Sequence, residues 1–253
     1  MAWHCTGKTN AELIDNLVTS GIARPGRIAE AMKATDRRYY VPDKPTAYED
    51  SPQPIGFGAT ISAPHMHAYA LNSLEDYLGE GTRVLDVGCG SGYLTAVMHR
   101  LVGPTGLIIG IDHLPGLVEM SKNNLATDGV SVSSAEQQEM GAKTKTKTKS
   151  GDADGGKVSG ETGVKIVLGD GREGYAPLAP YKAIHVGAAS PTIPPALLAQ
   201  LDSPGRMFIP VGPAGGKQVI KVVTKDAEGE VRVQDVMDVR YVPLTDARKQ
   251  WSG

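Results

Sequence analysis

Hydrophobic residues along this chain gather in short runs, and the most regular of these stop at a glycine or an acid. Val84, Leu85 and Val87 form one such run around Asp86, and Gly88, Gly90 and Gly92 follow at every second position. The period then changes, with Leu94, Val97, Met98 and Leu101 on one face of a helix over residues 93–101. Further runs at residues 107–111, 164–168 and 183–186 read as strands, ending in Asp112-His113, Gly169-Asp170-Gly171 and Gly187-Ala188-Ala189. Residues 206–211, 218–224 and 231–239 alternate in places and predict three more strands as an antiparallel edge. Upstream, Leu13, Ile14, Leu17 and Val18 mark an amphipathic helix over residues 10–20 that Gly21 stops, and a second covers residues 25–34. Pro64 opens a third within residues 62–78, while residues 36–51, rich in Pro, Tyr and Asp, predict a loop.

One segment departs from this pattern. Residues 131–160 carry almost no apolar side chains, and Lys143, Lys145, Lys147 and Lys149 alternate with threonine ahead of a Gly- and Asp-rich stretch. Such a segment cannot offset its own ordering entropy and reads as a disordered surface insertion. No aromatic residue accompanies the lysines to stack on bases, so a solvated loop is expected there rather than a nucleic-acid site. The whole chain, 253 residues and 40% hydrophobic, suits a single domain over residues 1–253 with one sizeable core. A net charge of -2 and a pI near 6.3 give no global pull toward nucleic acid or an anionic membrane. No apolar run approaches the roughly 20 residues of a membrane span, and the N-terminus has no apolar signal core. Cys5 and Cys89, the only cysteines, fit a reducing compartment. A cytoplasmic protein is expected, and a monomer, since no heptad or long apolar edge argues for assembly.

The glycine loop narrows the chemistry. A dinucleotide fingerprint needs G-x-G-x-x-G, but Tyr93 stands where the last glycine would let helix and strand pack closely. Glycines at G-x-G-x-G, with Asp86 at the strand's carboxyl end, suit a cationic amine better than a pyrophosphate. S-adenosylmethionine carries an ammonium and a sulfonium and no phosphate, so the pattern resembles the methyltransferase version of the doubly wound α/β fold. That fold is expected here as a mostly parallel, seven-stranded, Rossmann-like sheet with an N-terminal helical segment. Asp112 lies at the spacing where an acid meets a ribose diol. Asp170, between two glycines, can reach an adenine edge. Against these readings stand a glycine turn without a ligand, and acids that serve only as helix caps. His65 and His67 form an H-x-H pair, but a zinc site needs a third ligand and none is near in sequence, so no metal is expected. Cys89 reads as a small filler, and His113 and His185 as packing or ribose-side residues.

Six segments together resemble the protein-L-isoaspartate (D-aspartate) O-methyltransferase family: Ala59-Thr-Ile-Ser-Ala-Pro-His-Met-His-Ala68, Leu85-Asp-Val-Gly-Cys-Gly-Ser-Gly92, Ile109-Gly-Ile-Asp-His113, Gly169-Asp-Gly171, Ile184-His-Val-Gly-Ala-Ala189 and Tyr241-Val-Pro-Leu-Thr-Asp246. The resemblance covers nearly the whole chain apart from the insertion, and the start Met1-Ala-Trp looks like the eukaryotic type. It implies transfer of the methyl of S-adenosylmethionine, leaving S-adenosylhomocysteine, to the α-carboxylate of L-isoaspartyl residues or the side-chain carboxylate of D-aspartyl residues. The acceptors are damaged proteins and peptides, and the ester closes to a succinimide that partly hydrolyses to normal aspartate. It also implies Ser62 as the active-site serine, and cofactor contacts at Ala59, Thr60, Ile61, Ser62, His67, Ser91, Asp112, His113, Asp170, Gly171, Thr245 and Gln250. Asp86, Gly88, Gly90 and Gly92 join them from the loop chemistry. Tyr241, Val242 and Pro243 are expected in a groove that holds extended peptide through backbone hydrogen bonds. A carboxylate with a pKa of about 4 is already ionised at neutral pH, so the implied work is alignment and exclusion of water, not base catalysis. Two other readings stay open: a methyltransferase for another carboxylate, and a non-catalytic binder of the same cofactor that signals through the lysine-rich loop.

Overall fold

Strands β3 (Arg83–Val87) and β4 (Leu107–Asp112) form the centre of the computed structural model, which describes residues 5–133 and 161–251. Val84 to Val87 and all of β4 are buried on both faces, which explains their nearly continuous apolar sequences. The seven-stranded sheet runs β5 (Gly163–Leu168), β4, β3, β6 (Tyr181–Val186), β7 (Leu201–Val211), β8 (Gln218–Lys225) and β9 (Val231–Val239). β7 is parallel to β6, and only β8 runs against the others. The expected antiparallel edge therefore begins one strand later than the sequence pattern indicated. β7 also starts at Leu201 rather than at residue 206, because Asp202, Ser203 and Pro204 hide the strand's opening in a polar stretch.

Side-chain alternation divides the core by sheet face. Val84, Ile108, Ile166, Ala183 and Phe208 share one apolar cluster with α1 (Asn10–Thr19), α2 (Arg27–Ala34), α3 (Pro64–Leu74), α4 (Tyr93–Val102) and α5 (Pro115–Thr127). Leu85, Val87, Ile109, Ile111, Ile184 and Met207 face the other way, with Leu197 of α6 (Pro195–Gln200). Proline at the first helical position starts α3, α5 and α6, where its missing N–H costs nothing. α3 ends at Leu74 and a 3-10 turn, Glu75–Tyr77, completes the stretch read as one helix; residues 36–51 contain two more such turns.

A short hairpin precedes α3, pairing β1 (Gln53–Gly56) with β2 (Ala59–Ile61). Its turn residues Phe57 and Gly58 both have positive φ, 53° and 66°, the twist favoured by tight hairpins. Pro54 and Gly56 break the alternation that would have announced it.

Of the stretch read as an insertion, residues 131–133 belong to the sheet margin: Val132 bridges Val164 in parallel, and the Ser133 N–H donates to the Val164 carbonyl at 2.8 Å. Residues 134–160, with the four alternating lysines, lie outside the described residues.

Candidate active site

The carboxyl ends of β3, β4, β5 and β6 finish level, because Val87 pairs with Ile111 and Val186, and Asp112 with Leu168. The order of connections reverses beside β3, which leaves a crevice at those ends. Backbone bonds continue past the strands and fix the loops. Gly88 and Cys89 N–H groups both donate to the Ile111 carbonyl, at 2.8 and 3.2 Å, and the Gly187 N–H donates to Val87 at 2.8 Å. A Cβ on Gly187 would sit 3.0 Å from the Gly88 carbonyl, and one on Gly92, at φ 84°, would press on Ser121 at 3.3 Å. The cradle therefore requires bare backbone, as a closely held ligand does.

The acids at the strand ends have different surroundings. Asp86 is 1% exposed; its Oδ2 accepts from Thr95 Oγ1 at 2.5 Å, and its Oδ1 lies 2.8 Å from His185 Nδ1. It walls the narrow cavity under the glycine loop, held sideways rather than free to face a ligand, though each oxygen keeps further acceptor capacity. Asp112 accepts from the N–H groups of Gly90 and Leu114, both at 3.2 Å. Burial raises its pKa above the ordinary carboxylate value, against those N–H bonds. Asp170 is clamped by Arg172 through Nε and Nη2, at 2.9 and 2.6 Å, and Arg172 lowers its pKa. The same Nη2 reaches Asp246 at 2.8 Å.

That second pair draws the chain's last described segment across the crevice. His113 Nε2 meets Gln250 Oε1 at 2.9 Å over 137 positions of sequence, and Gln250 Nε2 donates to the Phe57 carbonyl at 3.2 Å. Trp251 packs edge-on against Phe57, at 5.8 Å between ring centroids. Thr245 lies in a separate cavity beside Arg172 and Asp246, and Gly171 is pressed on Val87, where a Cβ would come within 2.4 Å.

Ser62 lies where two spaces meet. Thr60, Ile61, Ser62, His67, Gly88, Gly90 and Ser91 line the narrow cavity, and Ala59 begins the strand that carries Thr60. A groove of about 1030 Å³ opens on the other side, along the end of β9 through Tyr241 and Val242. Thr60, Ser62 and Gly187 belong to both. Tyr241 lines the groove with Ser62, and burial pushes its phenol up to about 12. Pro243 is turned away from the groove into a bridge with Ala189.

His67, against the Tyr93 ring at 4.9 Å, is pushed well below its ordinary pKa by burial and then by Arg37, so it is neutral. His65 Nδ1 is held by Asp50 at 2.8 Å, and among the described residues no three His, Cys, Asp or Glu side chains are grouped to hold a metal ion. Burial keeps the Cys89 thiol protonated. Sequence reasoning missed Thr95, Arg172, Asp246 and the buried Arg37 behind Ser62. Only Asp246 stands in one of the six family-like segments, and each acts through a partner from another element.

The family model described as protein-L-isoaspartate(D-aspartate) O-methyltransferase matches residues 8–249. A protein-L-isoaspartate O-methyltransferase of Caenorhabditis elegans is 44% identical over 100% of this chain and 99% of its own. Protein-L-isoaspartate O-methyltransferase 1 of Arabidopsis thaliana is 43% identical over 96% of this chain and 94% of its own. A Plasmodium falciparum crystal structure, described as a protein-L-isoaspartate O-methyltransferase in complex with S-adenosyl-L-homocysteine, superposes with a TM-score of 0.75. It is 28% identical, and the match covers 94% of this chain and 99% of that one.

Proposed function

The chain belongs to the protein-L-isoaspartate (D-aspartate) O-methyltransferase family, and from that premise we propose how its residues divide the work. It is an S-adenosylmethionine-dependent repair methyltransferase that esterifies the free carboxylate of L-isoaspartyl, and D-aspartyl, residues in damaged proteins and so starts their return to aspartyl through a succinimide. It has the class I methyltransferase fold.

When bound, S-adenosylmethionine supplies a methyl activated by its sulfonium. The bare glycine cradle, the spare acceptor capacity of Asp112 and the neutral His67 wall fit such a cofactor. Asp112 takes the ribose hydroxyls, with His113 and Gln250 closing beside it. Asp170 and Gly171 border the adenine, and Thr245 contributes from the segment that Arg172 ties down. Asp86, locked between Thr95 and His185, holds the loop and leaves only spare acceptor capacity for the ammonium. The Ser62 hydroxyl donates to the acceptor carboxylate and aims it; it forms no covalent bond. Tyr241 and Val242 line the peptide groove, with Pro243 fixing their backbone from behind.

The observation that carries this reading is the wall shared by the two cavities: Thr60, Ser62 and Gly187 are the residues at which a methyl donor and a peptide carboxylate can meet. The protein works as a cytoplasmic monomer and a single domain, without nucleic acid or membrane; among the described residues no helix is long and apolar enough to cross a membrane. The test is methyl transfer from labelled cofactor to two peptides differing only in one L-isoaspartyl or L-aspartyl linkage. Base-labile label on the isoaspartyl peptide alone is expected, and label on both or neither overturns the reading.

A further inference from the structure

Arg37 is the only Lys or Arg among the described residues that is fully buried, at 0% exposure. No carboxylate among the described residues lies within ion-pair distance of it. Its Nη2 donates to the Ser62 carbonyl at 2.9 Å, its guanidinium lies 5.5 Å over the Tyr93 ring, and Nε and Nη1 have no partner. Burial brings its pKa down to about 10, which leaves it charged at neutral pH. The groups it faces offset its charge only in part: His67 is neutral, and Asp50, whose negative charge favours the charged guanidinium, makes no ion pair with it and commits Oδ1 to the backbone and ring of His65.

A buried cation without a partner is costly, and removing it from water strengthens its field. Here that field originates directly behind Ser62. We propose that Arg37 is a positioning residue that prepares this site for an anion. It locks the Ser62 peptide through its carbonyl, and its charge, unpaired by any direct ion pair, draws the acceptor carboxylate to the Ser62 hydroxyl. The inference rests on Ser62 holding that carboxylate. It adds a directional consequence, since the methyl ester formed is neutral: the attraction that gathers the reactant is absent for the product, which leaves more readily.

Direct binding tests this. With S-adenosylhomocysteine present, an isoaspartyl peptide and its counterpart bearing a carboxamide in place of that carboxylate are titrated into wild type, Arg37→Lys and Arg37→Met. Wild type is expected to prefer the carboxylate by about tenfold, and Arg37→Lys to retain most of that preference. Arg37→Met is expected to bind both peptides alike while S-adenosylhomocysteine affinity stays within about twofold. Arg37→Gln, which keeps a donor for the Ser62 carbonyl and removes only the charge, decides the question if Arg37→Met does not fold. A full carboxylate preference in the uncharged variant, or its equal loss in Arg37→Lys, overturns the proposal. Wild-type protein that methylates no isoaspartyl peptide overturns the functional reading and this inference together. Wild-type turnover with an unchanged preference in the variants overturns the inference alone.

Discussion

Asp86, Asp112 and Asp170 occupy similar places at successive strand ends, yet their neighbours give them different work. Asp86 is spent on Thr95 and His185, Asp170 on Arg172, and Asp112 alone takes only backbone N–H groups. Its raised pKa then has a visible consequence: affinity for S-adenosylhomocysteine should fall with acidity at a pH above the ordinary aspartate value of about 3.9, as the ribose acceptor protonates. Asp112→Asn should bind more weakly at neutral pH and lose that acid limb, and calorimetry across pH reads both. Ser62 makes the opposite prediction. A hydrogen bond to a charged group contributes about 1.5–3 kcal/mol, so Ser62→Ala should lower kcat/KM roughly tenfold to a hundredfold. S-adenosylhomocysteine affinity should change far less; an equal fall in both would leave Ser62 a cofactor contact alone. Spacing made Asp112 legible at the end of an apolar run, whereas the role of Ser62 came only from the family resemblance, since a serine at a helix start reads by itself as structural. Arg37 was hidden, since nothing in Asp36-Arg37-Arg38-Tyr39 says which arginine turns inward.

Elements with one dominant constraint were the easiest to read. β3 and β4 are covered on both faces and advertise it, and α1 shows its stripe through Leu13, Ile14 and Leu17. The β1–β2 hairpin was silent because tertiary contacts, not alternation, hold it. The direction of β7 was silent because its own sequence does not reveal which neighbour pairs with it. The segment carrying Thr245 and α7 (Ala247–Gln250) is the least rooted element beside the site, tied by Arg172–Asp246, Gln250–His113 and Trp251–Phe57. Arg172 and Asp246 are 40% and 48% exposed, so their pair is weak and screened by salt. Arg172→Met should therefore speed hydrogen exchange over residues 245–251 and S-adenosylhomocysteine dissociation, with the melting temperature almost unchanged. High salt should reproduce part of that effect on wild type. Unaltered exchange in this segment would show that the aromatic and glutamine contacts suffice.

At the scale of the molecule, an open groove along the end of β9 meets a narrow cavity at one wall. A substrate held extended through its backbone must leave any helix first, so access rather than local sequence should set the repair rate. An isoaspartyl residue placed in a stable helix of a test protein should be methylated far more slowly than in an unstructured peptide. Added denaturant too weak to unfold the enzyme should narrow the gap, and equal initial rates would contradict it. The opposite margin of the sheet carries a different consequence. Because Val132 and Ser133 are stitched to Val164 of β5, residues 133 and 161 both lie at this margin, across β4 and β3 from the peptide groove. That separation makes residues 134–160 the stretch to shorten or recode by design: a chain so altered should keep the wild-type rate of methyl transfer to an isoaspartyl peptide, and a large loss of rate would tie those residues to the chemistry.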